Sequence, residues 1–396
     1  MMPVTTTGNQ LDTGTIVPTA LPVQTPVRSG SVLSPGTILK LEHHVSGEST
    51  GTESIFGAPN FRHSLFGVYG VAQPNMVGLE TTVEMIRLKT STRDPLITWV
   101  NGREEPVIYI AGRPFVLRLL TQPFRNMDAF AGISGPRLEL VEERLKEEIL
   151  DEARLQNNMI QVHVEDKNTV RPCWLTASNV MTIKQVFDQS SSSLVYQRIP
   201  ISRGQWPFDQ FIDALLSLPC IKSTNDPLVF SCGMGVGRVT FAMIVAVIMR
   251  HACADSGLSS DQDVKEITDD DTLTLKALKC LEQAIHGTSS VQWIMERGRD
   301  KLDSLKQAIQ GDYKVILDLG RVLEDGPRNK RLVDQIIDQC TFFVCVFVLI
   351  FTNTKSIGAG IINLREQILL YRLKGLDPND NGSYLDMALG YLERYY

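Results

Sequence analysis

One stretch of eleven residues, Leu228 to Arg238, restricts the possible folds of this 396-residue chain more than any other. It reads Leu-Val-Phe-Ser-Cys-Gly-Met-Gly-Val-Gly-Arg, and a strongly apolar segment that ends near His251 follows it. A short apolar run, a glycine-rich loop and a long apolar segment together predict a buried strand, a tight turn and a helix. We therefore expect Cys232 at the end of a strand and Arg238 at the start of a helix.

This predicted strand, loop and helix have the features of an anion site. Glycines allow successive backbone N–H groups to turn inward around a phosphate, and the positive end of the helix dipole lies behind them. The same field favours the nucleophilic thiolate form of Cys232, and the guanidinium of Arg238 can hold two phosphate oxygens. The alternative is a buried cysteine in a glycine-rich turn. We assign catalysis to Cys232 and Arg238, and phosphate binding to Gly233, Met234, Gly235, Val236, Gly237 and Arg238.

The pattern along the rest of the chain predicts the fold class. Strand-like and helix-like runs alternate between residues 37 and 255, which predicts an α/β fold with a central, mainly parallel sheet flanked by helices. Residues 1–36 are rich in Thr, Pro, Gly and Ser, and we expect a disordered leader there. Helical patterns dominate residues 256–396, so an α-rich C-terminal extension is predicted.

Composition and charge exclude several classes of protein. The chain has 39 basic and 45 acidic residues, a net charge of −6, which argues against a general binder of nucleic acid or anionic membranes. Its seven cysteines are scattered without a Cys-x-x-Cys pair, so we expect reduced thiols and a cytoplasmic location. The histidines show no metal-ligand spacing, and neither a metal nor a cofactor is predicted.

One apolar run, at residues 342–351, raises the question of a membrane segment. It has ten residues, whereas a membrane-spanning helix needs roughly 20. A buried strand or helix is the favoured interpretation, a membrane-associated segment is the alternative, and we expect no stable membrane span.

Five further motifs lie upstream of the loop, and with it they resemble one family. They are Gly57–Arg62, Val68–Pro74, Trp99–Pro106, Tyr196–Pro200 and Phe208–Ile212. In this order they resemble the paladin and protein-tyrosine-phosphatase-like phytase group of cysteine-dependent phosphatases, over about residues 30 to 396. The resemblance implies a cysteine-phosphatase fold at residues 37–255. It also implies hydrolysis of phosphomonoesters through a phosphocysteine, with a phosphorylated protein, a phosphoinositide or an inositol phosphate as substrate.

The sequence departs from this group at the general acid. Active members carry an Asp after the Tyr-x-Arg-x-Pro strand that protonates the leaving oxygen, and here Arg203 takes its place. Arginine cannot donate a proton at neutral pH, and general acid catalysis typically contributes about 10²–10⁴-fold, so weak activity is expected. Arg203 is alternatively a phosphate-binding group, with Arg198 adding charge at the same rim. Asp209 is a substitute acid, although a first-turn helical Asp more commonly just favours the helix dipole.

Two other departures bear on the same question. Val239 follows Arg238 where the group usually has Ser or Thr, and Ser231 replaces a His before the cysteine. The missing hydroxyl normally helps the thiolate to leave the phosphocysteine. Arg203 and Val239 favour the second function that we consider, a pseudophosphatase that binds phosphorylated partners as a signalling scaffold, and the change to Ser231 is milder.

Two segments need a structural interpretation. Arg103, Glu104 and Glu105 contain a carboxylate pair, but adjacent strand residues face opposite sides, so a structural ion pair is favoured over acid–base catalysis.

Residues 341–361 separate two segments that lie close together in sequence in the family, one of which begins at Asn363. We therefore expect an insertion there, and a translated intron is one hypothesis for its origin. Family members often consist of several repeats, and this chain is expected to contain one.

Overall fold

The computed structural model describes most of the chain up to residue 255 and parts of the region beyond it. The described residues are 26, 28–42, 55–90, 92, 94–166, 169–201, 208–223, 225–255, 326–341, 363–374, 388 and 392. Several predicted features lie outside these residues. They are the leader up to residue 25, Arg203, the start of the C-terminal extension at residue 256, and the insertion at 341–361 beyond Thr341, with its apolar run at 342–351.

The described residues contain the following regular elements. The strands are β1 (Thr37–Leu41), β2 (Arg62–His63), β3 (Val68–Ala72), β4 (Ile97–Asn101), β5 (Val107–Ile110), β6 (Arg113–Leu119), β7 (Met159–Asp166), β8 (Thr169–Thr176), β9 (Met181–Thr182), β10 (Leu194–Arg198) and β11 (Leu228–Cys232). The helices are α1 (Met76–Lys89), α2 (Gly135–Leu155), α3 (Ile183–Ser190), α4 (Phe208–Leu216), α5 (Gly237–Asp255), α6 (Gly326–Cys340) and α7 (Leu364–Lys374).

The parallel sheet consists of β10, β4, β11, β3 and β2, in that order. The short edge strand β2 runs antiparallel to β3, and the other neighbours are parallel. Every residue of β3, β4 and β11 is buried, as is typical of parallel strands covered on both faces. Helix α5 covers one face, with α6 packed on α5, and α1 and α3 cover the other face. The predicted α/β fold with a mainly parallel sheet flanked by helices is confirmed.

A second sheet consists of β8, β7, β1, β6, β5 and β9, and the sequence analysis did not predict it. Its neighbours are antiparallel except for β1 and β7. Leu145 and Ile149 of helix α2 share one apolar cluster with side chains of this sheet, among them Leu39 and Leu117. The pairs β5–β6 and β7–β8 are hairpins, but β1 pairs with β6 and β7, and β5 with β9, across long stretches of chain. The hydrophobic period within each strand does not reveal these distant pairings.

Part of the predicted leader belongs to the folded domain. Glu148 of α2 accepts hydrogen bonds from the backbone N–H groups of residues 31–33 at 2.7 to 3.0 Å. Arg28 donates to a carbonyl oxygen in β1 and another in β7. Leu33 is 2% exposed. The prediction of a disordered leader up to residue 36 is therefore wrong for residues 28–36, because these two charged side chains fix the segment.

The described part of the C-terminal region packs on the same core as α5. Ile336, Ile337 and Leu364 lie in the apolar cluster that also contains the buried side chains of α5. Asn363 donates a hydrogen bond of 3.0 Å to the hydroxyl of Thr341. The two described residues that flank the segment 342–362 are thus in contact, as an insertion between them requires. The insertion itself remains a prediction.

Within the described ranges, one segment is long and apolar enough to cross a membrane, namely 237–254 in α5. This judgement depends on length and composition alone. In the structure, α5 lies between the parallel sheet and α6. A helix that is covered on several sides is apolar around its circumference, so core packing accounts for its composition.

Candidate functional site

The site is built around the glycine loop, residues 233–237, which joins β11 to α5. Strand β11 lies in the middle of the parallel sheet, between β4 and β3, and ends at Cys232. Gly235 has a φ of 70°, which favours glycine, and a Cβ there would collide with the backbone of Ala72. The predicted strand, turn and helix are therefore present, and Cys232 and Arg238 lie at the ends of the loop as expected.

All four carbonyl groups of residues 233–236 accept hydrogen bonds from groups that lie outside the glycine loop. The donors are Gln73 N (3.2 Å), Asn60 Nδ2 (2.8 Å), Arg62 Nη1 (2.8 Å) and Thr240 Oγ1 (2.7 Å), in the order of the carbonyls. Because the C=O and the following N–H of a trans peptide point in opposite directions, the N–H groups of residues 234–237 turn toward the inside of the loop. The loop therefore presents a preformed set of donors for an anion.

The two terminal nitrogens of the Arg238 guanidinium differ, because Nη2 makes a short hydrogen bond and Nη1 makes only long ones. Its Nη2 is 2.8 Å from Oε1 of Glu105. Its Nη1 contacts the carbonyl oxygens of Ile201 and Gly102 at 3.3 and 3.4 Å, which are long distances for hydrogen bonds. Nη1 is therefore the part of Arg238 that can turn to a bound anion without breaking a short contact.

Glu105 is the residue that positions Arg238, and the sequence analysis did not assign it this role. Burial alone would raise the pKa of Glu105, but the attraction of Arg238 and Arg103 outweighs burial and holds it well below the usual range. The structural ion pair expected between Arg103 and Glu105 is present, at 3.2 Å. The sequence does contain a clue to the contact between Glu105 and Arg238. Glu105 follows β4 and Arg238 follows β11, and residues that follow neighbouring parallel strands meet at one edge of the sheet.

Arg198 does not reach the glycine loop. Its guanidinium donates to Glu142 at 3.2 Å, to the hydroxyl of Tyr196 at 3.0 Å, and to two backbone carbonyls. The Arg198 side chain is 1% exposed. All three of its nitrogens have partners in this network, so the expectation that Arg198 adds charge at the rim is wrong. Its role in the structure is to fix the segment that carries Glu105.

Arg203 and Asp209, the two residues considered at the general-acid position, have no described side chains. Arg203 lies outside the described residues, and Asp209 lies in α4 where the side chain is not described. Their predicted roles therefore stay predictions. Val239 is 1% exposed and packs in the core, while the hydroxyl of neighbouring Thr240 bonds to Val236 O. The hydroxyl expected one position earlier is thus not replaced by Thr240, whose side chain turns away from the anion side.

Two further residues, Ser231 and Met234, lie close to the glycine loop or within it. The hydroxyl of Ser231 accepts a hydrogen bond of 2.8 Å from the indole of Trp99, below the loop. Met234 is 58% exposed and forms the outer rim of the loop. In the part of the chain that the structure describes, no group of three or more His, Cys, Asp or Glu residues could hold a metal ion.

Comparisons with known proteins give the same family. Residues 100–250 match the family described as "PTPlike_phytase: Inositol hexakisphosphate". Paladin of Xenopus tropicalis is 25% identical over 366 residues, covering 87% of this chain and 36% of that protein. Paladin of Gallus gallus is 23% identical over 382 residues, covering 93% of this chain and 37% of that protein.

The solved structures that are similar include the PTP-like myo-inositol phosphatase from Mitsuokella multacida in complex with myo-inositol-(1,3,4,5)-tetrakisphosphate. It is 17% identical, with a TM-score of 0.38, and the match covers 65% of this chain and 49% of that chain. This chain spans about a third of the length of the curated relatives named above. By its motifs, the family match and these relatives, the chain is similar to the paladin and PTP-like phytase group of cysteine-dependent phosphatases.

Proposed function

We propose that this chain binds the phosphate group of a phosphomonoester in its glycine loop and hydrolyses it slowly through Cys232. The observation that carries the proposal is the set of hydrogen bonds to the carbonyls of residues 233–236 from outside the loop. Four inward N–H groups and Arg238 match the negative charge of a phosphate. A merely structural turn around a buried cysteine does not need its amides left available in this way.

The proposed reaction has two displacements at phosphorus. The Cys232 thiolate forms an S–P bond while the bond from phosphorus to the leaving oxygen breaks, and the leaving oxygen takes up a proton from solvent water. A water oxygen then attacks phosphorus, the S–P bond breaks, and phosphate and the thiolate are released. The loop amides and Arg238 stabilise the charge on the phosphoryl oxygens during both steps.

Two departures from the family pattern, Arg203 and Val239, are the reason that we expect slow hydrolysis. Arg203 stands where the proton donor is expected, and an arginine cannot supply the proton that the leaving oxygen needs. Val239 offers no hydroxyl to assist the release of the thiolate. The substrate is a phosphorylated protein, a phosphoinositide or an inositol phosphate, and the loop itself carries no basic side chain between Cys232 and Arg238 that would favour a polyanion.

The alternative proposal is a pseudophosphatase, which uses the same loop to bind phosphorylated partners without turning them over. Arg203 and Val239 favour it, whereas the intact Cys232 and Arg238 favour an enzyme. The two proposals share the binding step and differ only in catalysis, so one set of measurements separates them.

The test combines binding of tungstate, a phosphate-shaped anion, with hydrolysis of an aryl and an alkyl phosphate by the full chain. We expect the protein to bind tungstate and to hydrolyse the aryl ester, whose leaving group hardly needs a proton. We expect Cys232→Ser to abolish hydrolysis. Binding without hydrolysis above the Cys232→Ser level would support the pseudophosphatase, and neither binding nor hydrolysis would contradict both proposals.

A pair of variants at one position tests the missing acid. Arg203→Asp is expected to raise the alkyl phosphate rate by up to about 100-fold and the aryl rate by less, because only the poor leaving group needs the proton. Arg203→Asn is the matched control, since it removes the positive charge without adding an acid. A similar gain from both variants, or a rise in KM with both, would contradict the lost-acid interpretation and support a phosphate-binding Arg203.

A further inference from the structure

Arg62 is a buried charged side chain that the proposed reaction does not use. It lies in the edge strand β2, opposite Gly70 of β3, and is 2% exposed. A Cβ on Gly70 would collide with Val239 and Met243 of α5 and lie 3.3 Å from Cζ of Arg62. The missing side chain at Gly70 therefore makes room for the guanidinium beside the first turns of α5. Burial lowers the pKa of Arg62 to about 10, which leaves it charged at neutral pH.

The guanidinium of Arg62 joins the glycine loop to the C-terminal helices. Its Nη1 donates to the Gly235 carbonyl at 2.8 Å, and its Nη2 donates to the Thr240 hydroxyl at 2.9 Å. That hydroxyl donates in turn to the Val236 carbonyl at 2.7 Å. On the other side, Nε donates at 3.2 Å to the carbonyl of Cys340, the last residue of α6. Arg62 thus bonds to a carbonyl at a helix end, which lacks an intrahelical partner, and to one carbonyl of the loop, and it is linked to a second loop carbonyl through Thr240.

We infer that Arg62 is a positioning residue for the glycine loop and that α6, through Arg62, is part of the anion-binding unit. The inference rests on the proposed function, since it concerns the loop that binds phosphate. Arg62 holds the Gly235 carbonyl outward, so the N–H of Val236 faces the anion. It does not touch the anion itself. The planar fork of arginine is needed because a lysine can reach one of these acceptors but cannot bond to both sides at once.

Arg250 provides a matched reference for a purely structural arginine. It is also buried, and burial lowers its pKa to about 10 as well. Its guanidinium donates to the carbonyl oxygens of Phe66, Cys220 and Asp226, none of which lies in the glycine loop. If Arg62 only stabilises the fold, replacing either arginine by lysine will have the same consequences.

The test measures the Kd of tungstate by calorimetry and the melting temperature for the full chain, Arg62→Lys and Arg250→Lys. Both variants are expected to melt at lower temperature. Arg62→Lys is expected to bind tungstate about tenfold more weakly, while Arg250→Lys stays within about twofold of the unmodified chain. Equal affinities of the two variants would overturn the inference and leave the proposed function intact. No tungstate binding by the unmodified chain would overturn both.

A second pair of variants, at Thr240, tests the positioning role of Arg62 if Arg62→Lys does not fold. Thr240→Val removes the hydroxyl that accepts from Arg62 and donates to Val236 O, whereas Thr240→Ser keeps it. We expect Thr240→Val to weaken tungstate binding by about threefold to tenfold, and Thr240→Ser to restore it. Equal affinities in these two variants would contradict the role of this hydrogen-bond chain.

The part that α6 plays is tested by a double-mutant cycle. Ile337 lies in the core between α6 and α5 and is 1% exposed, so Ile337→Ala loosens the packing of α6. We expect this change to weaken tungstate binding about threefold in the unmodified chain and not further in Arg62→Lys. The same loss in both backgrounds would show that α6 does not act through Arg62.

Discussion

Buried charged side chains serve different purposes in the two sheets. At the edge of the parallel sheet, Arg62 and Arg238 bond to the glycine loop and to Glu105 beside it. Next to the second sheet, Arg28 and Glu148 bond to the backbone of the N-terminal segment and its neighbouring strands. The first set positions groups of the proposed phosphate site, and the second set holds one part of the chain against another.

Because of this difference, we expect phosphate affinity and the free energy of unfolding to depend on different parts of the molecule. The apolar cluster under α2 contains side chains of the second sheet, and the glycine loop is not among them. The two sheets also meet in another apolar cluster, where Tyr109 of β5 lies with Trp99 of β4. Changes in the cluster under α2 should therefore alter the free energy of unfolding and leave phosphate affinity unchanged. Changes around the glycine loop should mainly alter phosphate affinity.

The largest effect on stability is expected from Leu39→Ala in the second sheet. Leu39 is fully buried, and truncating such a leucine typically costs about 2–5 kcal/mol. Chemical denaturation measures this loss, and calorimetry with tungstate measures affinity in the same preparation. A change in tungstate Kd of more than about threefold would contradict the separation of the two regions.

A comparable effect on binding is expected from Arg238→Lys. Lysine lacks the fork that contacts Glu105 and an anion together, so tungstate affinity should fall about 100-fold, or about 2.7 kcal/mol. The matched control is Arg28→Lys, which removes carbonyl contacts of a similarly buried arginine beside the second sheet. Arg28→Lys should lower the melting temperature and leave tungstate affinity as it was. Weakened binding in Arg28→Lys would break the comparison.

The smallest expected effect is a pH dependence of the free energy of unfolding, caused by His163 in the second sheet. Burial, with the nearby charge of Arg28, lowers the pKa of His163 to about 4. Between about pH 6.5 and pH 4 the unfolded chain binds this proton and the folded chain does not, so stability falls as the pH falls through that window. His163→Leu should remove about 1–2 kcal/mol of this decline by pH 5.

Urea denaturation at pH 7 and pH 5 checks the pH dependence. His63→Leu is the control, because His63 is exposed at the edge of the other sheet. An unchanged decline in His163→Leu, or an equally reduced one in His63→Leu, would be evidence against the assignment.

The parts of the site that are local in sequence could be predicted, and the parts that depend on distant contacts could not. The strand, the glycine loop and the helix follow each other directly, so their pattern is visible in one stretch of chain. The contact between Arg62 and Gly235 joins residues 173 positions apart, and no periodicity shows it. Arg198 was misplaced for the same reason, since its position at the end of β10 does not reveal that Glu142 of α2 lies beside it.

The contact between Asn363 and Thr341 also has a consequence for how this family can vary. The two flanking residues of the segment 342–362 touch, so lengthening that segment adds only about 0.6 kcal/mol of closure entropy for each doubling. The segment begins directly after the Cys340 carbonyl that Arg62 holds and the neighbouring Thr341. If the glycine loop binds phosphate as proposed, insertions or deletions at this point are expected to change the affinity through Arg62 while the sequence of the loop stays constant.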